Sequence, residues 1–279
     1  MEISPLTGVL GARVDEVELS PTMLDDLVEE LHQALCEHEV LVVPGQDLSP
    51  AEQAGFSHLL GGYSPVPFVQ PVPEHPEVIK VVKEATEPEA FNFGGVWHSD
   101  FSFLDAPPAF TILHALDVPA VGGDTVWASM TAAHDALPAE MRDLFEGVTC
   151  VHSASASYSP AQQDLHSGLS GMDIRTSESA EATRDHPLVC THPETGRKAL
   201  YVNSGFTTRI RGMRSAESRA TLDFLYQHIQ HPDFQCRFSW RPNSIAFWDN
   251  RCAQHHATFD YYPQVRHGYR VTIAGDRPF

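Results

Sequence analysis

The sequence predicts a mainly β fold with flanking helices, arranged as a sandwich or a jelly roll. Two helical segments lie near the N-terminus, whereas many short apolar runs separated by turns occupy most of the remaining chain. No composition break or internal repeat divides the 279 residues, and all-β barrels and sandwiches of this length commonly form one unit. We therefore expect a single domain spanning residues 1–279.

The helices are predicted from capping signals and helical spacing. A strand and turn over residues 7–19 precede a first helix, for which Ser20 is the predicted N-cap and Pro21 the first helical residue. Its expected buried stripe consists of Leu24, Leu27, Val28, Leu31 and Leu35. The segment 49–52 has the form of a capping box, which predicts a second helix ending near Leu60. Further helices are predicted at residues 131–136, 139–146 and 215–230.

Short strands are predicted along most of the chain, at residues 40–43, 78–82, 109–116, 124–128, 148–151, 187–191, 198–203, 234–240, 244–248, 255–259 and 269–274. Residues 61–77 are rich in glycine and proline and predict a loop. Residues 153–186 are rich in serine and have few periodic apolar positions. Such a stretch is either a mobile surface insertion or a lid over a site, and we favour a lid.

The charge and cysteine content narrow the class of protein. The net charge is −19 and no run of lysines or arginines is present, which argues against nucleic acid or an anionic membrane as a partner. The five cysteines are scattered and form no Cys-x-x-Cys motif, as expected for reduced thiols in a cytoplasm. The N-terminus lacks the features of a signal peptide, and no stretch reaches the length of a membrane span. We expect a cytoplasmic protein.

The segment Trp97–Phe103 carries the first indication of chemistry. Its partial alternation of apolar and polar residues predicts a strand, on which His98 and Asp100 would point to the same face. With one distant histidine they would form the two-His-one-carboxylate site of non-haem Fe(II) oxygenases, which leaves three coordination positions open. The other His-x-Asp/Glu triplets all contain a central proline, which favours a turn. A hydrogen-bonded structural pair is the alternative interpretation.

Candidates for the third ligand and for anion binding lie near the C-terminus. His255 and His256 are adjacent, so at most one of them faces the interior of a strand pair, and spacing alone does not choose between them. His267 is a weaker candidate because the glycine beside it suggests a turn. Arg266 and Arg270 are four residues apart and would share one face of a strand, where two guanidinium groups could bind carboxylates or sulfonates. Surface salt bridges are the alternative for both arginines.

Several ordered blocks of sequence resemble the taurine dioxygenase family of Fe(II)/2-oxoglutarate-dependent oxygenases, which includes herbicide-degrading and alkylsulfate-cleaving members. The blocks are Trp97–Asp100, Gly122–Trp127, Thr191–Pro193 with Gly196, Tyr201–Ile210, Trp248–Arg251 with Gln254 and His255, and Gly275–Phe279. The resemblance covers nearly the whole chain, and several blocks in order are far more specific than any single His-x-Asp.

The resemblance implies a double-stranded β-helix, that is, a jelly roll with the metal between its sheets. It implies that the iron ligands are His98, Asp100 and His255, so that His255 rather than His256 would be the third ligand. Family members commonly self-associate, and a homo-oligomer is therefore also implied.

The resemblance further implies a co-substrate and a reaction. Thr125 and Arg266 would hold the distal carboxylate of 2-oxoglutarate, and Arg270 would face the acidic head of the primary substrate. Three protein ligands leave two positions for the 2-oxo acid and one for O₂. We expect oxidation of a C–H bond in a small sulfonate, sulfate ester or carboxylate, with release of succinate and CO₂. The task of the protein would then be positioning and exclusion of side reactions.

The predicted substrate pocket departs from that of taurine oxygenases. Those enzymes use a histidine and a tyrosine in the loop before the metal motif, and the corresponding loop of this sequence contains no histidine. The stretch 91–95 is apolar and rich in glycine. We therefore predict a pocket for an acid larger or more apolar than taurine. Its predicted lining consists of Phe68, Tyr158, Phe206 and Asn92. Phe68 and Phe206 would fit the hydrophobic core equally well.

Two alternatives from other classes remain open at this stage. A jelly-roll protein that has lost catalysis would bind a small molecule without turnover. A zinc hydrolase could use the same ligands, although His-Glu-x-x-His is absent. No Gly-x-Ser-x-Gly, Walker loop or Gly-x-Gly-x-x-Gly is present, which argues against serine hydrolases and nucleotide chemistry.

Overall fold

The computed structural model describes residues 1–89 and 92–279, so Phe91, part of the predicted pocket stretch, lies outside the described residues. The strands are β1 (Glu2–Pro5), β2 (Ala12–Asp15), β3 (Val40–Val43), β4 (Pro71–Val72), β5 (His75–Lys83), β6 (Phe110–Asp117), β7 (Thr125–Ser129), β8 (Thr149–Ser153), β9 (Thr183–Pro187), β10 (Val189–Thr191), β11 (Lys198–Leu200), β12 (Thr207–Ile210), β13 (Gln235–Phe238), β14 (Ser244–Asp249), β15 (Ala253–Ala257) and β16 (Arg266–Ile273). The α-helices are α1 (Asp25–His38), α2 (Pro50–Leu60), α3 (Met130–Asp135), α4 (Ala139–Phe145), α5 (Ser155–Tyr158), α6 (Gln163–His166) and α7 (Ser215–Ile229), and short 3₁₀ turns lie at residues 160–162, 178–181 and 232–234.

In the part of the chain that the structure describes, the strands form one large sheet and three small ones. The large sheet has eight strands in the order β1-β2-β3-β14-β6-β16-β5-β4, and its only parallel pair is β2 with β3. The small sheets are β13-β7-β15, β12-β8-β9 and β10-β11. The predicted mainly β class with additional helices is therefore confirmed.

Strand β14 shows how the large sheet separates two layers of core. Phe247 packs against Phe56 of α2 on one face, with ring centroids 5.7 Å apart. Its neighbour Trp248 points to the opposite face and packs against Trp127 of β7, at 5.8 Å. Because successive side chains of a strand alternate, helices cover one face of the large sheet and the sheet β13-β7-β15 covers the other. Strands β6 and β16 therefore face β7 and β15 across the second layer.

The first helix begins later than predicted. Ser20 to Met23 form a turn, Leu24 is the N-cap residue in an extended conformation, and α1 starts at Asp25. Leu24, predicted to be buried, is 71% exposed, whereas Leu31 and Leu35 are buried as expected. The capping signal at Ser20 was therefore misassigned, because its hydroxyl is used within a local turn with Thr22. The second capping box and helix α2 are confirmed.

Several strand assignments need correction. The segment Trp97–Phe103 is not a strand: His98 makes one isolated bridge, and the chain then turns, with Phe101 at φ +50°. The predicted loop 61–77 already contains β4 and the start of β5, and β9 begins within the predicted insertion 153–186. Strands β1 and β12 were also not predicted; the sequence of β12 lies within a polar stretch without clear alternation. The other predicted strands are present with boundary shifts of a few residues.

None of the helices in the described part of the chain has the length and apolarity that crossing a bilayer requires. All five cysteines are free thiols, four of them buried.

The capping box of α2 gives a stability prediction. Ser49 Oγ accepts from the Glu52 backbone N–H at 3.3 Å, and Glu52 Oε2 accepts from the Ser49 backbone N–H at 2.9 Å. We expect Ser49→Ala to lower the free energy of unfolding by about 1 kcal/mol, measured by urea denaturation. Ser20→Ala is the matched control and should change it by less than about 0.5 kcal/mol, because Ser20 caps no helix. Equal effects of the two substitutions would contradict this assignment.

Candidate metal centre

Three side chains that the sequence predicted as ligands converge in the structure. His98 Nε2 lies 3.5 Å from Asp100 Oδ1, and the imidazole rings of His98 and His255 have centroids 4.1 Å apart. One ligand atom from each residue falls within 4.8 Å of the other two, and all three residues are buried. The arrangement has the dimensions of a site for one ion.

The backbone brings the ligands together through a single bridge. The N–H of His98 donates to the carbonyl of His255 at 3.0 Å, and the N–H of His255 donates to the carbonyl of His98 at 2.9 Å. The backbone N–H of Asp100 is then held by Asn250 Oδ1 at 3.3 Å. The side chains of His98 and Asp100 therefore border the same cavity, although residues 97–103 form an isolated bridge followed by a turn and not a strand.

Neighbouring polar groups orient two of the ligands. His98 Nδ1 lies 2.7 Å from the carbonyl oxygen of Val96, which can only accept, so Nδ1 donates and Nε2 is left to bind an ion. Asp100 Oδ2 accepts from Thr111 Oγ1 at 2.8 Å, and Asn250 Nδ2 donates to the same hydroxyl at 2.8 Å. Sequence reasoning did not single out Thr111 or assign Asn250 a role, although Asn250 lies within a block that carries the family resemblance.

The protonation states of the cluster suit a metal ion. Burial alone would raise the pKa of Asp100, but Arg270 and the two imidazoles outweigh it and hold that pKa well below its usual range. Burial, reinforced by His98, lowers the pKa of His255 well below its usual value. At neutral pH the site thus offers an ionised carboxylate and a neutral imidazole, the forms that bind metals. The two-His-one-carboxylate donor set fits Fe(II).

Arg266 lies buried at the start of β16 beside Thr125. Its Nε donates to the carbonyl of Gly123 at 3.1 Å, and its Nη2 lies 3.4 Å from Thr125 Oγ1. Thr125 Oγ1 also accepts from the indole N–H of Trp240 at 2.9 Å, and the guanidinium lies 5.7 Å from the centre of that ring. Burial lowers the pKa of Arg266. Among the described residues, no carboxylate lies within 4.0 Å of this cation.

Arg270 lies four residues further along β16 and contacts the ligand set directly. Its Nη1 lies 3.1 Å from Asp100 Oδ1, and its guanidinium packs between the rings of Phe93 and Phe101, at 5.5 and 5.0 Å. Its Nε and Nη2 are buried and have no hydrogen-bond partner among the described residues. An unsatisfied buried donor on a charged group is costly, so this guanidinium is suited to receive an anion.

Two cavities meet at the ligands. The larger cavity, of about 490 Å³, has a mainly apolar wall: Asn92, Phe93, Gly94, Gly95, Val96, His98, Asp100, Phe101, Ala156, Ser157, Tyr158, Leu165, His166, Phe206, His256, Ala257, Phe259 and Arg270. A smaller cavity lies between the histidine ligands and the pair Thr125 and Arg266, and Arg270 borders both cavities. Arg266 and Arg270 thus share one face of β16, as their spacing predicts.

The residues predicted to line the substrate pocket have different positions. Tyr158, Phe206 and Asn92 border the larger cavity, and Asn92 Nδ2 also donates to the carbonyl of Ala257 at 3.0 Å. Phe68 is not among its described lining residues and the prediction needs correction: its ring stacks against Tyr158, with centroids 5.1 Å apart and planes at 20°. Phe68 therefore supports the wall from behind, where the apolar surroundings accommodate its ring.

His256 and Phe259 border the larger cavity and were not predicted. His256 was considered only as a possible metal ligand, and alternation along β15 places it on the face opposite to His255. Phe259 lies just beyond the end of β15, in a segment that was predicted to be strand. No sequence signal in that segment distinguishes a wall residue from a core residue.

Comparison with protein families, with curated proteins and with solved structures points to one family. Residues 2–272 match the family described as taurine catabolism dioxygenase TauD, TfdA family. An alpha-ketoglutarate-dependent sulfate ester dioxygenase from Pseudomonas putida is 34% identical over 279 residues, which cover 100% of this chain and 91% of the relative. A taurine dioxygenase from Burkholderia xenovorans has a TM-score of 0.83 and 30% identity, covering 99% of this chain and 92% of that one.

A further solved structure, AAD-2 in complex with Mn(II) and N-oxalylglycine, has a TM-score of 0.79 and 26% identity, covering 99% of this chain and 98% of that one. The predicted family, the enzyme class and the use of iron, 2-oxoglutarate and O₂ are confirmed by these matches. The chain belongs to the TauD, TfdA family and is a non-haem iron, 2-oxoglutarate-dependent dioxygenase.

Proposed function

We propose that this dioxygenase oxidises a C–H bond of a small organic anion with an apolar body, such as a sulfate ester or a hydrophobic sulfonate, and releases succinate and CO₂. The observation that carries the proposal is Arg270: a buried guanidinium with two unpartnered nitrogens, at the edge of a mainly apolar cavity of about 490 Å³. The Pseudomonas putida relative, a sulfate ester dioxygenase, supports this class of substrate.

His98, Asp100 and His255 are proposed to hold the iron. Bound there, Fe(II) together with 2-oxoglutarate and O₂ would supply the oxidising power for C–H cleavage. The residues around it fix the geometry: Val96 orients His98, and Thr111 orients Asp100. Burial excludes water from these contacts and thereby strengthens them.

Arg266 and Thr125 are proposed to bind the distal carboxylate of 2-oxoglutarate. Arg266 is buried and has only neutral oxygens as neighbours, and it borders the smaller cavity together with both histidine ligands. A carboxylate there would form charge-assisted hydrogen bonds in a water-poor environment. A 2-oxo acid without a second carboxylate would leave the buried cation unpaired, so the site would favour the dicarboxylate.

Arg270 is proposed to receive the anionic head of the primary substrate. Tyr158, Phe206 and Asn92 would contact its organic body, with Phe68 supporting Tyr158 from behind. The head would lie beside Asp100, because Arg270 Nη1 contacts that carboxylate while Nε and Nη2 are available. The C–H bond to be oxidised would then lie in the organic body of the substrate, a short distance from its own acidic group.

Residues 153–186 are proposed to form a lid on a single domain spanning residues 1–279. Helices α5 and α6 contribute Tyr158 and Leu165 to the cavity wall. The segment is fixed at Glu87, a buried carboxylate whose Oε1 accepts from the backbone N–H groups of Ser170 and Gly171, both at 2.8 Å. It is also held by a bridge between Val69 and Ile174 and by the pairing of β9 with β8, so the part proposed to open around substrate is the one that carries α5 and α6.

The two facing sheets that enclose the ligands support the proposal of a double-stranded β-helix, the jelly roll that the family resemblance implies. Five free thiols are compatible with a reducing cytoplasm, and self-association remains a prediction.

Replacement of Asp100 tests the iron site. We expect Asp100→Ala to abolish substrate-dependent succinate release, because it removes a ligand and leaves Arg270 without its counter-ion. Asp105→Ala is the control, since Asp105 is exposed and makes only a 3.9 Å contact with Arg277. Circular dichroism would verify folding of both variants. Full activity of Asp100→Ala, or wild-type activity restored by zinc rather than by Fe(II) with ascorbate, would refute the assignment.

Replacement of Arg266 tests co-substrate binding. We expect Arg266→Ala to raise the KM for 2-oxoglutarate about 30-fold or more, the effect of removing one partner from a buried charge pair. The preference for 2-oxoglutarate over a monocarboxylic 2-oxo acid should shrink in the same variant. Arg241→Ala, at an exposed position, should leave both quantities unchanged. If the KM of Arg266→Ala equals that of the wild type, Arg266 has another role.

A substrate panel tests the proposed pocket. Sulfate esters, sulfonates, aryloxy acids and amino acids would be compared by substrate-stimulated succinate release. We expect anions that carry an apolar chain or ring to give higher kcat/KM than taurine, because the cavity wall is mainly apolar. Tight, saturable binding of taurine in preference to the larger anions would overturn this expectation.

A further inference from the structure

A second group of metal-ligating side chains lies between α1 and the turn that connects β10 to β11. His32 and Cys36 are four residues apart in α1 and therefore lie on one face of the helix, one turn from each other. Glu194, in the turn, reaches this face. One ligand atom from each of the three residues lies within 4.8 Å of the other two, and the group is partly accessible to solvent.

The two oxygens of Glu194 have separate partners. Its Oε2 faces the helix and forms a hydrogen bond with His32 Nε2, and Cys36 Sγ lies 3.5 Å from the same oxygen. Its Oε1 accepts from Arg251 Nη1. An ion could therefore bind Oε2 together with the imidazole and the sulfur while the contact with Arg251 is kept.

The positive charge of Arg251 is already neutralised by a second carboxylate. Asp249 is buried and accepts from Arg251 Nε at 2.9 Å and from Nη2 at 2.6 Å. Asp249 Oδ2 is also hydrogen-bonded to His192 Nε2 at 2.9 Å, so the neighbouring group Cys36, His192 and Asp249 is already satisfied without an ion. The charge of Glu194 thus remains available for a cation at Oε2.

We propose that His32, Cys36 and Glu194 form a second metal site, distinct from the candidate iron site, that binds a thiophilic divalent cation such as Zn²⁺. One nitrogen, one sulfur and one oxygen ligand, completed by water, satisfy the tetrahedral coordination of Zn²⁺. A thiolate also selects against Mg²⁺ and Ca²⁺, which prefer oxygen ligands. The bound ion would link α1 to the β10–β11 hairpin.

Binding releases one proton. Burial, together with the carboxylates of Glu194 and Asp249, raises the pKa of the Cys36 thiol to about 12 despite the opposing charge of Arg251. Burial opposes ionisation of Glu194, but hydrogen bonds from His32 and Arg251 hold its pKa at about 2. The carboxylate is therefore ionised in advance, whereas the thiol transfers its proton to solvent as the metal–sulfur bond forms.

Cobalt is the probe that separates this site from the iron site. A Co²⁺–thiolate bond absorbs in the near ultraviolet by charge transfer, and none of His98, Asp100 and His255 carries sulfur. Under reducing conditions we expect one equivalent of Co²⁺ to produce this band in the wild-type protein, and Zn²⁺ to remove it by displacement. Cys36→Ala should lose the band. His32→Gln, at a solvent-accessible position, should weaken Co²⁺ binding about tenfold or more.

Cys236→Ala is the matched control, because Cys236 is a buried thiol outside every group of potential ligands among the described residues. It should keep the band with unchanged affinity. The proposal is overturned if the wild-type protein shows no thiolate band, if Cys36→Ala retains it, or if His32→Gln binds Co²⁺ as tightly as the wild type.

Discussion

The pair of backbone hydrogen bonds between His98 and His255 is the constraint on which the site depends. One ligand lies in a loop and the other in a strand far along the chain, and this bridge holds their backbones side by side, with the imidazole centroids 4.1 Å apart. The same bridge places Asp100 within reach of Asn250 at the end of β14. The strands therefore set the position of the ligands, and polar side chains set their orientation.

Burial of two guanidinium groups on one strand determines the electrostatics of the site. The protein carries a net charge of −19, so binding of an anion requires positive charge that is gathered locally, as it is at these two arginines. Arg266 is held by a carbonyl, a hydroxyl and an indole ring rather than by an acid. A guanidinium in such surroundings stays charged at neutral pH. An anion that binds beside it can form charge-assisted hydrogen bonds, because no acid among the described residues is hydrogen-bonded to it.

The sequence predicted which side chains converge in the structure better than it predicted the local backbone around them. Residue types and their order along the chain identified His98, Asp100 and the two arginines of β16, because metal and anion binding restrict the usable side chains. Periodicity failed at residues 97–103, where tertiary hydrogen bonds donated by Ser99 and Asp100 to Asn250 replace a regular strand. The sequence left Phe68 open between the pocket wall and the core, because its apolar ring fits both equally well, and its packing against Tyr158 favours the core position.

Asp100 links the candidate metal site to the proposed anion site. Its Oδ1 contacts Arg270 and, under the proposed assignment, would also bind the metal, whereas its Oδ2 accepts from Thr111. A cation bound to Asp100 withdraws carboxylate charge from Arg270, and the guanidinium then attracts an external anion more strongly. By linkage, an anion at Arg270 must favour the cation to the same extent. Under the proposed assignment, the buried pair of Arg270 and Asp100 would therefore make binding of the metal and binding of the acidic substrate favour each other.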